Sequence, residues 1–251
     1  MKRYIFVLVM LFCCAGVAAQ KSPKKEKDPY SKEEGSHKAL FGVYFGPTVD
    51  WFAPTTNALK NKAPKAGLIA GAIVDVNLVP KDILYFTTGV LARYLQGDVS
   101  FLNNYQFDFK NVSVNDTVNA VRTYQTTYIT IPTGVKFRTI PLNNCVFVGK
   151  LGLYHNFRIA GKQFDSFSIS GDNAYAITTK KAKNGDAALF AESAYVGLGF
   201  EYVFQPNLRV FANFDYSCQF NYFNSKATSN ISTARFKTIV HSLHITLGVL
   251  F

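Results

Sequence analysis

Cysteine is scarce in this sequence: of four, Cys13 and Cys14 sit near the start, and only Cys145 and Cys218 lie in the body of the chain. Two distant thiols build neither a disulfide framework nor a zinc site. They either form a single bridge or stay free. Histidine is as sparse, with His37, His155, His241 and His244 scattered and none set among metal-binding neighbours. The 3.6-residue spacing of an amphipathic helix is also missing over any useful length. Glycine, threonine, tyrosine and phenylalanine stand where a helix prefers alanine and glutamate, which points to an all-β chain.

The two ends of the sequence differ in kind. MKRYIFVLVMLFCCAGVAAQ opens with Lys2 and Arg3, continues through an apolar core from Tyr4 to Phe12, and reaches small residues at Val17, Ala18 and Ala19. This predicts a signal peptide over 1–19, the apolar stretch being short for a membrane span of about 20 residues. Neither Cys13 nor Cys14 follows the small residue that a lipidation site needs. Without residues 1–19 the chain keeps 25 basic against 16 acidic side chains, a formal charge of +9. The basic residues are scattered rather than gathered on one element, so no nucleic acid is expected, and lipid headgroups are the more natural partner. Residues 20–38 mix lysines with acids and hold almost nothing apolar, which predicts a disordered, charged periplasmic tether.

From Ala39 the pattern turns to period two and returns eight times, in stretches close to the roughly 9–11 residues that a tilted strand needs to cross a membrane. The stretches are 40–52, 67–78, 83–95, 124–139, 145–159, 189–204, 208–223 and 236–251. Connections at 79–82, 140–144 and 205–207 are tight, while those at 53–66, 96–123, 160–188 and 224–235 are long and polar. All tight turns therefore fall at one end of the sheet. The expected fold is an eight-stranded antiparallel transmembrane up-and-down β-barrel over 39–251, with short periplasmic turns and long extracellular loops.

A soluble ligand-binding barrel of the lipocalin type is the rival, and the strand faces decide. In 208–223, Leu208, Val210, Ala212, Phe214, Tyr216, Cys218, Phe220 and Tyr222 oppose Arg209, Phe211, Asn213, Asp215, Ser217, Gln219 and Asn221. In 189–204, Val196, Leu198, Phe200 and Tyr202 oppose Tyr195, Gly197, Gly199 and Glu201. A soluble protein would bury the charged, glycine-rich face and show Phe and Leu to water, forgoing about 1.5–3 kcal/mol for each large apolar side chain. In a membrane barrel the apolar face meets lipid. The last residues, HITLGVLF, place Ile245, Leu247, Val249 and Phe251 on that face of a strand that must pair with the first to abolish the sheet edge.

TYQTTYITIPTGVKFR, GVYFGPTVDWF, YVGLGFEYVF and HITLGVLF, all within 39–251, resemble strands of the PorT-like outer-membrane β-barrel family of Bacteroidetes. The resemblance implies an eight-stranded barrel in the cell outer membrane whose named members include an accessory of type IX secretion. It also implies that the barrel assembly machinery reads the C-terminal strand with its final Phe251. The expectation is a non-enzymatic structural or accessory component of secretion or envelope assembly. Its partners would be outer-membrane lipid, the assembly machinery and secretion-system proteins. A lipid-modifying enzyme and a narrow channel are the alternatives.

For chemistry, the strongest group is His244 with Ser242 and, on the neighbouring strand, Asp215. Residues two apart on one strand stand about 7 Å apart by rise alone, too far for proton transfer, so the pair reads as wall packing and no catalytic residue, metal ligand or cofactor site is expected. Asp50, Asp75, Glu201 and Asp215 face inward with Arg93, Lys136, Arg138, Lys150, Arg158 and Arg209. An eight-stranded barrel holds little beyond its own side chains, so these charges should pair and plug it. His155 and His241 face outward near the outer headgroups, and Pro132 marks a local break in pairing. The long loops carry Tyr105, Phe107, Phe109, Phe164, Phe167, Lys180 and Lys181 as binding candidates. Asp116-Thr117-Val118 has the form of a glycan attachment site.

Overall fold

The computed structural model describes residues 39–55, 59–79, 82–104, 107–109, 112–114, 117–169, 176–178, 182–183, 187–205, 208–224 and 237–251. The expected leader and tether lie outside them, as do Tyr105, Asp116, Lys180 and Lys181. Eight long strands carry the fold: β1 (Ala39–Pro54), β2 (Lys65–Asn77), β3 (Leu84–Asn104), β4 (Thr117–Arg138), β5 (Cys145–Ile169), β6 (Phe190–Gln205), β7 (Leu208–Gln219) and β8 (Thr238–Leu250). Each pairs antiparallel with its neighbours in sequence, and β8 returns to β1 from Gly42↔Leu250 to Pro54↔Thr238, closing the barrel. Phe251 extends the seam, its N–H donating to the Phe41 carbonyl at 2.7 Å and its carbonyl accepting from the Phe41 N–H at 2.9 Å. Closure satisfies every edge that lipid could not hydrate.

Local chemistry explains the tight end. Between β2 and β3, Asp82 takes a φ of 53°, and between β4 and β5, Asn143 takes 56°. Asp and Asn are the non-glycine residues that best tolerate this left-handed conformation. The Asn77 side chain adds a clamp, accepting from the Val79 N–H at 3.1 Å and donating to Asp82.

The opposite end departs from expectation. Stretches 96–123 and 160–188, expected as loops, are strand for much of their length. β3 and β4 stay paired out to Asn104↔Thr117, and β4 and β5 out to Val118↔Ile169. Their flanking partners stop far earlier, at Leu68↔Tyr94 for β2 and Phe190↔Phe157 for β6. Residues 95–104 of β3 thus run on for about 30 Å of strand, at roughly 3.3 Å per residue. Short strands Leu59–Asn61, Ala176–Thr178 and Ala182–Lys183 pair along the edges of this three-strand projection. Nothing requires a strand to stop where lipid stops; only its lipid face does. The seventh strand is shorter than expected, ending at Gln219, with the Asn221 side chain bonding to the Glu192 N–H and the Phe190 carbonyl in place of the ladder.

The predicted faces hold. Val196, Leu198, Phe200, Phe204, Phe214, Ile245 and Leu247 are exposed outward, while Tyr195, Glu201, Arg209, Phe211, Asp215 and His244 are buried inward. Pro132 breaks pairing as expected. On the β3 side pairing lapses between Thr88↔Thr133 and Leu91↔Thr130 with the register unchanged, while on the β5 side Pro132↔Tyr154 is intact. Cys145 and Cys218 are both free thiols.

Inward glycines make room for large neighbours. A Cβ on Gly97 would lie 1.6 Å from the Phe52 ring, and one on Gly197 would lie 1.8 Å from an Asp215 carboxylate oxygen. In a tube this narrow, a bulky group on one strand needs a vacancy on the next.

Candidate functional site

The interior is a ladder of ion pairs. Toward the outer end, Arg93 donates to Asp50 at 2.9 Å and to Ser242, while Ser242 and Thr48 also donate to Asp50. At mid-height Lys150 meets Asp215 at 2.8 Å. Nearer the tight turns, Lys136 bridges Asp75 and Glu201, the second at 2.8 Å. Arg138 reaches Glu201 at 3.0 Å and Arg209 reaches it at 3.9 Å. Thr87 donates to Asp75 at 2.6 Å. All four expected inward acids thus meet expected inward cations, and Arg158 donates to the Ala187 carbonyl. A buried charge is retained only when it is so paired.

Two apolar clusters, unforeseen from the alternation alone, fill what the charges leave. Phe52, Leu95, Val99, Tyr124, Tyr128, Phe223 and Val240 pack across the outer mouth, where the Phe52, Tyr124 and Phe223 rings meet one another at 4.8–5.6 Å between centroids. A second cluster with Ile69, Ile73, Tyr85, Leu91 and Phe211 lies in the rest of the lumen. A cavity bordered by Tyr44, Asp75, Lys136, Lys150, Tyr154 and Tyr195 holds about 20 Å³, space for roughly one water.

Ser242 and His244 take separate partners. Ser242 is committed to Asp50 and Arg93, and Asp215 to Lys150. His244 Nε2 lies 3.1 Å from a different hydroxyl, Ser217, and its ring stacks on Tyr154. The three do not assemble.

Both outward histidines have neighbours that sequence order conceals. His241 stacks at 11° on Trp51 and takes a 2.6 Å hydrogen bond with the Tyr216 hydroxyl. His155, on β5, lies between Thr133 on β4 and Glu192 on β6: Thr133 Oγ1 is 3.0 Å from Nε2, and Glu192 Oε1 is 3.2 Å from Nδ1. The sequence does not single these three residues out together, because each comes from a different strand and the Thr133–His155 contact is diagonal across the ladder. One signal is available: an ionisable residue on a lipid-facing row needs a reason to be there.

A family model for the outer membrane protein beta-barrel domain matches residues 18–223. The chain belongs to that family. Its place is the outer membrane, and the outward apolar face is its lipid face. No curated protein matches the chain. Solved barrels similar to it include Ail, the attachment invasion locus protein of Yersinia pestis, at 15% identity, covering 85% of this chain and 99% of that one with a TM-score of 0.34. Also similar are a major outer membrane protein of Thermus thermophilus, at 14% identity, 86% and 100% coverage and a TM-score of 0.39, and the Escherichia coli outer membrane protease OmpT, at 10%, 86%, 97% and 0.26. Among the described residues of this barrel, no group of three or more His, Cys, Asp or Glu side chains is placed to hold a metal ion.

Proposed function

We propose that this outer-membrane barrel is a structural or accessory component, PorT-like in kind, of type IX-like secretion or of envelope assembly, and that it works through its extracellular sheet rather than through its lumen. One observation carries the reading. The interior is spent on packing, with ion pairs along its length and an aromatic cluster across its mouth, while β3, β4 and β5 build a projection far beyond what spanning a membrane requires. Extended backbone on a rigid frame is a common device for docking partners. In this reading outer-membrane lipid surrounds the wall, the assembly machinery engages β8, and secretion-system proteins meet the projection. A narrow channel fits less well, since ion pairs and the Phe52, Tyr124 and Phe223 cluster occupy the lumen.

The test is a pull-down from the native membrane together with planar-bilayer recordings. Secretion-machine proteins should accompany the barrel, and pure protein should show negligible conductance. A steady, large conductance would favour the channel, and a barrel that comes down alone would remove the accessory role.

A further inference from the structure

The lipid face of this wall carries two histidines. His241 is accounted for by its surroundings: ring-stacked on Trp51 and bonded to Tyr216, it belongs to an aromatic belt of the kind that marks a membrane interface. His155, with the exposed Phe157 and Phe190 rings one tier above it, is bonded differently. Its two nitrogens are engaged by a hydroxyl on one side and a carboxylate on the other, with all three side chains partly open to the exterior. Ionisable groups facing lipid are costly, and by default they mark a function.

The order of the contacts matters. A carboxylate on Nδ1 fixes the imidazole with its proton on that nitrogen, which leaves Nε2 as the acceptor facing the hydroxyl. That is the arrangement by which a hydroxyl is turned into a nucleophile, and it is recognised by geometry rather than by sequence position. Glu192 is held firmly for the task. Its N–H donates to the Asn221 side chain at 2.9 Å, and its carbonyl accepts from the Phe220 N–H at 3.0 Å.

We propose that Thr133, His155 and Glu192 form a hydrolytic site on the outside of the barrel, directed at fatty-acyl esters of outer-leaflet lipids. The depth of the site selects that substrate. One tier toward the cell exterior stands the exposed pair Phe157 and Phe190, with Ile159 and Leu189 beyond it; toward the periplasm lie Leu153, Val196 and Leu151. The relay thus opens sideways in the outer part of the apolar band, below two tiers of exposed apolar side chains, on the half of the wall that faces the acyl esters of outer-leaflet lipids. Thr133 Oγ1 adds to the ester carbonyl carbon as its proton passes to His155 Nε2. The bond from that carbon to the leaving oxygen breaks, and the alcohol departs with the proton from His155. Water then adds to the acyl-threonine and gives a proton to His155, the bond to Thr133 Oγ1 breaks, and Thr133 recovers the proton as the carboxylic acid leaves. Ester and water become acid and alcohol, with no cofactor. Thr133 and His155 are the catalytic residues, and Glu192 is a positioning residue. The activity is independent of the accessory role and stands or falls apart from it.

The experiment uses the full-length protein refolded in mixed micelles with glycerophospholipid in one arm and lipopolysaccharide in the other. Released fatty acid is measured by mass spectrometry, and barrel integrity by heat-dependent gel mobility. The expected result is release in at least one arm, which identifies the source of the ester. Release should fall about 100-fold or more in His155→Ala and Thr133→Val and be retained in His241→Ala, while Thr133→Ser should recover release that Thr133→Val loses. Glu192→Asp should recover activity that Glu192→Gln loses. An acyl group on Thr133 should be detectable in the peptide digest. No release in either arm from folded wild-type protein, or a folded His155→Ala barrel within threefold of it, overturns the proposal.

Discussion

Two histidines on one wall show how differently its faces use the same chemistry. His244, inward on β8, is fully buried, stacked on Tyr154 and set 3.1 Å from Ser217, among side chains that hold the lumen together. His155, outward on β5, also has a hydroxyl at 3.0 Å, yet its site opens to the bilayer. A small barrel must fill its interior to exist, so polar groups there are committed to one another. Polar groups outside are under no such demand and are costly in lipid, so they persist where something else uses them.

The largest effect should come from breaking the interior where one acid serves several cations. Glu201 is buried and meets Lys136, Arg138 and Arg209. Glu201→Ala leaves buried positive charge uncompensated and should destabilise the barrel by about 3–5 kcal/mol. Glu192→Ala on the outside, a half-exposed partner of His155, should cost no more than about 1 kcal/mol. Urea titration of both variants refolded in lipid vesicles measures the contrast. Equal midpoints would mean that the inner pairs are not what holds the strands.

Glycine gives a second comparison of smaller size. Gly97→Ala drives a methyl group into the Phe52 ring that closes the outer mouth, whereas Gly149, outward on β5, has nothing within 4 Å of where a Cβ would stand. The inner change should cost about 1–3 kcal/mol as overpacking, and the outer one should stay within about 0.5 kcal/mol of wild type. A shift in the Gly149→Ala midpoint as large as that of Gly97→Ala, in the same titration, would show that backbone freedom rather than space governs these positions.

Sequence carries one of these faces far better than the other. Alternation at Val196, Leu198 and Phe200 against Tyr195, Gly197 and Glu201 tells which residues meet lipid, because period two is a property of a single strand. The inner pairings are legible only in part. Inward Asp50 and Arg93 can be expected to pair with something, but their meeting depends on register among β8, β1, β2 and β3, which no single strand contains. Thr133, His155 and Glu192 are hidden for the same reason, being spread over three strands. The projection of β3 to β5 escapes a reading of the sequence because its strands have no lipid face there, so the signal that marks a membrane strand disappears while the hydrogen-bonded ladder continues.

That projection supplies the smallest effect on stability and the sharpest one on binding. Val99 belongs to the cluster at the mouth and Phe52 sits against Gly97, so a cut must leave these in place. Replacing residues 102–119 by Asn-Gly joins Phe101 to Ala120, which already pair across the hairpin, through a two-residue turn suited to the twist of the strands. Strand Leu59–Asn61 keeps its partners at Val99, Ser100 and Phe101. The closed ladder from β1 to β8 is untouched, so the unfolding midpoint should move by no more than about 0.5 kcal/mol. Proteins that co-purify with the intact barrel should be lost. Fatty-acid release at Thr133 should persist, since that site lies on the wall and not on the projection. A shortened barrel that fails to fold would make the projection part of the core, and one that keeps its partners would move the docking surface elsewhere on the rim.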